Sequence, residues 1–436
     1  MEISATLATV IVIVIVLALI FLGCPIFLSL GVSGVIGILI TRGIVGLAQS
    51  PAMMFAQLDN FVLVAAPLYI LMGEVLFITG IGRDLYEAFS RWLHWLPGGL
   101  AVASIFACAV FGAMSGVSIV AVAVIGVMAV PEMLKRGYDP SVAVGSVTAA
   151  GALAMLIPPS LLFILYGAEA HVSVARLFIG GIIPGIVLAI MMSIYVVIRV
   201  ILKPDLAPRI AERITWKARF GSLSRVWPAV VLIVLVLGTI YTGVCTPTES
   251  AGIGAAGSYI IAAAVYRAVN WKTLRATLTA TMRITGMICI IVACAMAFGQ
   301  FLNTVRIPEI LAEFCVGVPW PRVWVLMLLM FFLIILGMFI DGASMVIVTT
   351  PILLPAIIAL GYDPLWYGII LVLNLEMAVI TPPVGLNLYT MKSITEDIDM
   401  GQIIRGILPY VGIEFACLLI FIFSPQLTLW LPGLMG

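Results

Sequence analysis

The sequence predicts an all-α polytopic membrane protein of two inverted-topology repeats, with about ten crossings, two re-entrant hairpins and two broken helices. Composition supports a membrane fold, since 64% of the residues are hydrophobic and 9% are charged. An ordinary soluble domain carries about 25% charged residues. The apolar residues form segments of about 20, the length at which a helix spans a bilayer, whereas a transmembrane barrel would show short alternating segments. A third observation, a set of motifs recurring at a fixed spacing, predicts the repeats.

The placement of basic residues predicts the topology. Seven of the 21 Lys and Arg residues lie between positions 199 and 225, and the positive-inside rule makes this loop cytoplasmic. Basic residues flank both ends of the apolar stretch 98–130, so this stretch should enter and leave by one face as a re-entrant hairpin. Two ordinary helices there would have about 15 residues each, too short to span comfortably. With ten crossings, both chain ends should be periplasmic.

An internal repeat relates the two halves at an offset of 224 residues. The matched motifs are Pro158-Pro159 with Pro382-Pro383, and Gly137-Tyr138-Asp139-Pro140 with Gly361-Tyr362-Asp363-Pro364. Each half then has five crossings and one hairpin, and an odd number of crossings inserts the second half upside down. Many secondary transporters have this architecture, and their hairpins meet near the midplane.

The repeat divides the chain into five segments. Two halves of a transport domain, each a hairpin and a broken helix, are expected at 98–175 and 320–400. Scaffold helices with an amphipathic arm are expected at 1–97 and again at 176–319, the latter including the cytoplasmic basic loop. A final helix occupies 401–436.

The two Pro-Pro pairs are predicted to break membrane helices. Proline removes a backbone donor, so the freed carbonyls need partners from protein, water or an ion. Broken helices and hairpin tips at matching positions are the best sequence indication of a binding site. The tips are expected at 112–118 and 337–344.

Asp341, at the second tip, is the most informative single residue. A carboxylate inside a membrane costs about 2.5 to 3.5 kcal/mol on insertion scales and usually marks an ion pathway. Alternatively it is protonated or caps a half-helix. Ser115, Ser118, Ser160, Ser344 and Thr381 supply hydroxyls at the tips and breaks, unless each bonds back to its own helix. Asn374 and Asn387, near the second break, either satisfy carbonyls or contact substrate.

Other ionisable residues are weaker candidates. Glu74 and Glu414 lie in apolar segments, and we expect interface residues rather than relay groups. Glu249 should cap a helix start. No HExxH, GxSxG or Walker pattern occurs, so the sequence gives no support for an enzyme or an ATP-driven pump, and neither a metal framework nor a disulfide framework is indicated.

Several segments together resemble the large membrane subunit of the tripartite ATP-independent periplasmic (TRAP) transporters, the family of the C4-dicarboxylate carrier large permease. The resemblance covers nearly the whole chain. The segments that carry it are Gly112-Ala113-Met114-Ser115-Gly116-Val117-Ser118, Pro131 with Gly137-Tyr138, Ile157-Pro158-Pro159-Ser160, Gly243-Val244-Cys245-Thr246-Pro247-Thr248-Glu249-Ser250-Ala251, and Thr381-Pro382-Pro383-Val384-Gly385.

This resemblance implies an elevator-type, sodium-coupled importer of organic acids in a bacterial inner membrane. The implied partners are a small four-helix membrane subunit and a periplasmic substrate-binding protein, with sodium as the coupling ion and no other cofactor. Sodium sites should lie between each hairpin tip and the facing break. The implied sodium ligands are Ser115, Ser118, Pro158, Ser160, Asp341, Gly342, Ser344, Thr381 and Gly385. The candidate substrate contacts are Ser115, Gly116, Ser118, Pro159, Ser160, Asp341, Ser344, Asn374, Pro383 and Asn387.

One residue departs from the family pattern. The first tip of the family often carries a second serine directly after Ser-Gly, where this chain has Val117 followed by Ser118. A stand-alone ion-coupled anion transporter or antiporter of similar fold remains the alternative function. The carried acid is not readable from the sequence, because a binding protein is expected to select it.

Overall fold

The computed structural model describes residues 5–208 and 214–434, which fold into α-helices, with two short 3-10 turns at Phe61–Val64 and Pro204–Leu206 and no strand. The basic residues Arg209 and Arg213 of the predicted cytoplasmic loop lie outside the described residues. In the first half the helices are α1 (Ala5–Phe21), α2 (Ile26–Leu58), α3 (Ala65–Phe77), α4 (Ile81–Leu93), α5 (Gly99–Ser115), α6 (Ser118–Lys135), α7 (Pro140–Leu156), α8 (Leu161–Ala170) and α9 (Val174–Leu202). In the second half they are α10 (Trp216–Leu223), α11 (Trp227–Tyr241), α12 (Pro247–Ala264), α13 (Trp271–Thr304), α14 (Ile307–Gly317), α15 (Arg322–Gly337), α16 (Gly342–Ala359), α17 (Pro364–Ile380), α18 (Leu386–Ile394), α19 (Met400–Phe423) and α20 (Pro425–Gly433).

The lengths and apolar character of these helices confirm a polytopic membrane fold. Within the described residues, seven helices are long and apolar enough to cross a bilayer, or nine if two bent pairs count as one span each. One bent pair joins the segment Phe61–Phe77 to α4 at 69°. This bend turns α4 away from the preceding span.

The helix boundaries confirm the repeat. The helices α6 and α16 are related by the predicted offset of 224 residues, and so are α7 and α17. The shared Gly-Tyr-Asp-Pro motif has one structural role in both halves. Gly137 and Gly361 adopt left-handed φ values of 79° and 83°, which glycine tolerates best. The following aspartate then caps the next helix through backbone N–H groups, and proline begins it.

Each predicted hairpin is a pair of helices joined by a short tip. Gly116 and Val117 join α5 to α6, and residues 338–341 join α15 to α16. The helices of the first pair have 17 and 18 residues, because α6 continues through Pro131 to Lys135, beyond the end of the apolar stretch 98–130. The second pair likewise extends to Ala359, since Pro351 and Pro355 lie inside α16 without ending it.

The broken helices form the centre of the molecule. The span 140–170 contains α7 and α8, and 89% of its most apolar 18-residue segment is buried inside the protein. The corresponding fraction for α2 is 33%. Small residues allow α7 to approach α19 closely, since a Cβ atom on Gly145 would lie 2.4 Å from the Gly406 carbonyl oxygen. Towards the outside, α2 packs along α13. The most buried helices are therefore those that carry the breaks.

Candidate functional site

The first hairpin tip contacts the first break. Gly116 is in the left-handed region, with φ 64°, and a Cβ atom there would lie 2.6 Å from the Pro159 carbonyl oxygen. The Leu161 N–H points to the Gly116 carbonyl at 3.5 Å. Only a residue without a side chain allows the tip to pack so closely against the break. The structure thus brings together the predicted partners Gly116 and Pro159.

Ser160 organises the backbone of this break. The peptide between Pro158 and Pro159 is cis. Ser160 is fully buried and caps α8, because its Oγ accepts from the Phe163 N–H at 3.5 Å while donating to the Met155 carbonyl. The serine hydroxyl therefore bonds within its own broken helix, the alternative that the sequence left open.

Ser118 at the first tip joins the opposite half of the repeat. Its Oγ lies 2.6 Å from Asn387 Nδ2 and 2.9 Å from Asn387 Oδ1. Asn387 Nδ2 also faces the Thr148 carbonyl of α7 at 3.4 Å. All three residues are fully or almost fully buried. Asn387, just after the second break, is thus hydrogen-bonded to Ser118 at the first tip, 269 positions away in the sequence.

Ser115 has a different environment from Ser118. Its Oγ is buried and has no hydrogen-bond partner among the described residues. Buried hydroxyls are normally satisfied by protein or ordered water. An oxygen left without a partner beside the Gly116–Pro159 contact is consistent with a ligand position.

The second tip begins α16 with a polar cap. Asp341 accepts hydrogen bonds from the Ser344 N–H at 3.0 Å and the Ser344 Oγ at 2.5 Å. Next to it, a Cβ atom on Gly342 would lie 3.3 Å from Leu162 Cδ1, so the second tip packs against α8 of the first half. Asp341 is therefore a helix cap, as the sequence allowed, at a tip that faces a broken helix.

The second break resembles the first in its local bonding. The peptide between Pro382 and Pro383 is cis, and Thr381 Oγ1 donates back to the Met377 carbonyl at 2.5 Å. Gly385, with φ 56°, precedes α18. Pro383 is exposed. The described hydrogen bonds of Asp341 and Thr381 stay within their own elements and do not join the second tip to this break.

The two asparagines predicted near the second break have structural partners. Asn374 is fully buried on α17 and donates from Nδ2 to the Met330 carbonyl of α15 at 3.0 Å, while its Oδ1 has no partner among the described residues. It thus satisfies a carbonyl, one of the two predicted roles, and Asn387 does the same weakly at Thr148.

The remaining carboxylates separate into three environments. Glu249 completes a capping box with Thr246, whose N–H and Oγ lie 2.8 and 2.9 Å from its Oε2, and these hydrogen bonds lower the pKa of Glu249. Its predicted capping role is confirmed. Glu74 is half-buried on α3. Glu414 is fully enclosed by the chain, which corrects its expected interface position, because α19 packs into the core there.

Sequence reasoning missed Glu376. This carboxyl lies on α17, fully buried, five positions before the second break. Its ionisable side chain within an apolar helix was the available signal.

The donor set suits a hard cation better than a transition metal. Among residues 5–208 and 214–434 there is no group of three or more His, Cys, Asp or Glu side chains that could hold a metal. The tips and breaks instead offer hydroxyl, carbonyl and carboxylate oxygens, the ligands that hard cations prefer.

Comparisons with known proteins agree with this geometry. Residues 13–427 match the family model described as the DctM component of the tripartite ATP-independent periplasmic transporter. The chain is 34% identical to the C4-dicarboxylate TRAP transporter large permease protein DctM of Pseudomonas aeruginosa, over 94% of each chain. It is 31% identical to the protein of the same name from Vibrio cholerae, over 97% of each. In fold it is similar to the crystal structure of the YdaH transporter of Alcanivorax borkumensis, with a TM-score of 0.61 at 16% identity, covering 91% of this chain and 90% of that one.

Proposed function

Because the chain belongs to the DctM component family of the TRAP transporters, we propose that it is the large membrane subunit of a sodium-coupled importer of organic acids. The proposed substrates are C4-dicarboxylates, sialic acid or similar carboxylates, a class that includes the acid named for the two relatives. We place the protein in a bacterial inner membrane with both ends periplasmic.

The observation that best supports transport is the contact of Ser118 with Asn387. This contact joins the first hairpin tip to the second broken helix. Two of the elements that would line a substrate site are therefore already packed together in the core. In inverted-repeat transporters such discontinuous elements line the substrate and ion sites. Sodium is proposed to bind at the tips, where Ser115 Oγ has no hydrogen-bond partner in the described part of the chain and Asp341 supplies a carboxylate.

An elevator-type movement is proposed for the hairpins and broken helices relative to a scaffold that contains α2 and α13. In that division, 98–175 and 320–400 form the moving domain. One contact between the two parts is a hydrogen bond of 2.8 Å from Gln57 Nε2 on α2 to Glu169 Oε1 on α8. A single hydrogen bond contributes about 1 kcal/mol, little enough to break in each cycle.

The proposed partners are a small four-helix membrane subunit and a periplasmic binding protein that delivers the acid. The test is reconstitution of the chain in liposomes with an inward sodium gradient. We expect little uptake by the chain alone and sodium-dependent uptake once the small subunit and the loaded binding protein are added.

Two results would contradict this function. Robust uptake by the isolated chain would favour a stand-alone anion transporter or antiporter of similar fold. If uptake by the full complex is unchanged when potassium replaces sodium, transport is not coupled to sodium.

A further inference from the structure

Two fully buried carboxyls lie on α17 and α19, helices that pack against each other. Glu376 on α17 and Glu414 on α19 are each 0% exposed, and their four oxygens make no hydrogen bond with the described residues. Because these helices pack together, both carboxyls and the buried thiol of Cys417 on α19 lie in one apolar region of the core. The Leu156 backbone, at the end of α7 before the first break, lies beside the Glu376 carboxyl.

The fold itself does not require this pair. The repeat places Ala152 and Ile190 at the matching positions of the first half. Those positions lie on α7 and α9, which correspond to α17 and α19. The first half therefore forms the same pair of helices without carboxyls at these positions. Glu376 and Glu414 occur in the second half alone and are not needed for the architecture.

Among residues 5–208 and 214–434, no basic side chain hydrogen-bonds to either carboxyl. The ionisable groups on the elements packed against α17 and α19 have other partners or lie elsewhere, and among the described residues none of them except Cys417 interacts with either carboxyl. The groups that interact with another residue are Tyr166 with Pro364, Glu169 with Gln57, Arg199 with Tyr195, Arg322 with Tyr362, Asp341 with Ser344, and Lys392 with Glu396 and Ile398. The others on these elements are Arg176, Tyr367, Tyr389, Arg405 and Tyr410.

Charge considerations then restrict the state of the pair. Two neighbouring carboxylates cannot both stay ionised in an apolar interior without a cation, because desolvation and mutual repulsion both oppose it. A proton on each carboxylate, forming a neutral carboxyl group, removes both penalties. Neutral carboxyls normally donate a hydrogen bond when buried. Neither Glu376 nor Glu414 donates one to any of the described residues. In this conformation, ionised carboxylates at these two positions would be strongly destabilised. Neutral carboxyl groups there would lack the hydrogen bonds that they normally form.

From this arrangement we propose that Glu376 and Glu414 form a proton-binding site, separate from the hairpin tips, whose occupancy changes between conformations of the protein. Protons bind from water when the pair becomes accessible and leave when it is exposed on the other face. No other reactant is needed. The link to transport rests on the proposed function, whereas proton binding itself does not.

Infrared difference spectroscopy of the full-length chain tests proton binding directly. The carbonyl stretch of a protonated carboxyl group, identified by its shift in heavy water, should appear as the pH is lowered. We expect it to be lost in a Glu376→Ala, Glu414→Ile double variant, which copies the first half and so should fold. The Glu74→Gln control, on a half-buried carboxyl outside the pair, should retain it.

Three spectroscopic results would overturn the proposal. The first is a band that the double variant does not change. The second is a band of constant intensity at every pH, which would mean a permanently protonated structural pair. The third is a band removed by sodium at constant pH, which would make the pair a sodium site.

Transport by the complete complex gives an independent readout. With a pH-sensitive dye inside the liposomes, we expect acid uptake by the wild type to be accompanied by proton movement. In the Glu376→Gln variant, the proton signal per molecule of acid transported should be at least several-fold smaller. An unchanged ratio would overturn the coupling. If the wild-type complex shows no uptake at all, the proposed function fails, and infrared spectroscopy still decides whether the pair binds protons.

Discussion

Asp341 shows how one side chain serves both folding and a proposed ion site. Its carboxylate caps α16 by accepting two hydrogen bonds from Ser344. A cap alone needs an acceptor oxygen and no charge, since asparagine caps helices about as well as aspartate. The charge is therefore the part of Asp341 that the cap leaves unexplained.

Replacing Asp341 with asparagine separates the two roles. We expect Asp341→Asn to fold and assemble, while the sodium concentration for half-maximal uptake rises and the sodium-linked gain in thermal stability shrinks, because a ligand stabilises only through its affinity for the folded state. The matched control is Asp363→Asn, which alters the cap of α17 through Leu365 and Trp366. Unchanged sodium dependence in Asp341→Asn would refute the ion role, and failure to insert would make the residue structural.

Glu249 gives a pH-dependent prediction outside the membrane-spanning segments. Hydrogen bonds from Thr246 lower the pKa of Glu249, so its contribution to stability is present above the ordinary glutamate pKa of about 4.3 and is lost as the pH falls through the lower folded-state value. Glu249→Ala should lower the thermal midpoint slightly at pH 7, and the difference should shrink in acid. Exposed Glu313→Ala serves as control. A difference that persists at the lowest pH would contradict this origin.

At the scale of elements, the hairpins depend on close backbone contact at their tips. The first tip needs a left-handed residue without a side chain, which Gly116 provides against Pro159. The second tip instead uses four linking residues and an aspartate cap. The repeat therefore conserves the helices of the two hairpins and differs in how their tips are closed.

Gly116→Ala tests this contact. The left-handed conformation costs an ordinary residue about 1–2 kcal/mol, and the added carbon would lie 2.6 Å from the Pro159 oxygen. We expect the tip to move from the break, with loss of sodium-dependent thermal stabilisation and of uptake. Gly286→Ala, inside α13 with nothing within 4 Å, should behave as the wild type. Equal sodium stabilisation in both variants would exclude the tip from the sodium site.

At the scale of the molecule, inverted repeats determine the orientation of both ends. With five crossings per half and the basic loop inside, the amino and carboxyl termini should both be periplasmic. Reporter fusions at either end should be active for a periplasmic enzyme and silent for a cytoplasmic one. Fusion after Lys203, at the start of the basic loop, is the control and should give the opposite result. A cytoplasmic terminus would refute the predicted crossing number.

The sequence by itself determined the elements and their order, because they depend on local causes. Apolar length makes membrane helices, proline pairs break two of them, and Gly-Tyr-Asp-Pro turns and caps a helix wherever it occurs. The positions of Ser115, Ser118, Ser160 and Thr381 at tips or breaks followed from the same patterns.

Only the tertiary structure decided which side chains meet. Ser118 and Asn387 are 269 positions apart, and nothing local predicts a hydrogen bond between them. The complete burial of Glu376 and Glu414 likewise depends on how α17 and α19 pack into the core. Sequence pattern reports the preference of each segment for helix and membrane, whereas the partner of a buried polar group is set by long-range packing. In this chain that packing joins the hairpin tip of each half to the broken helix of the other.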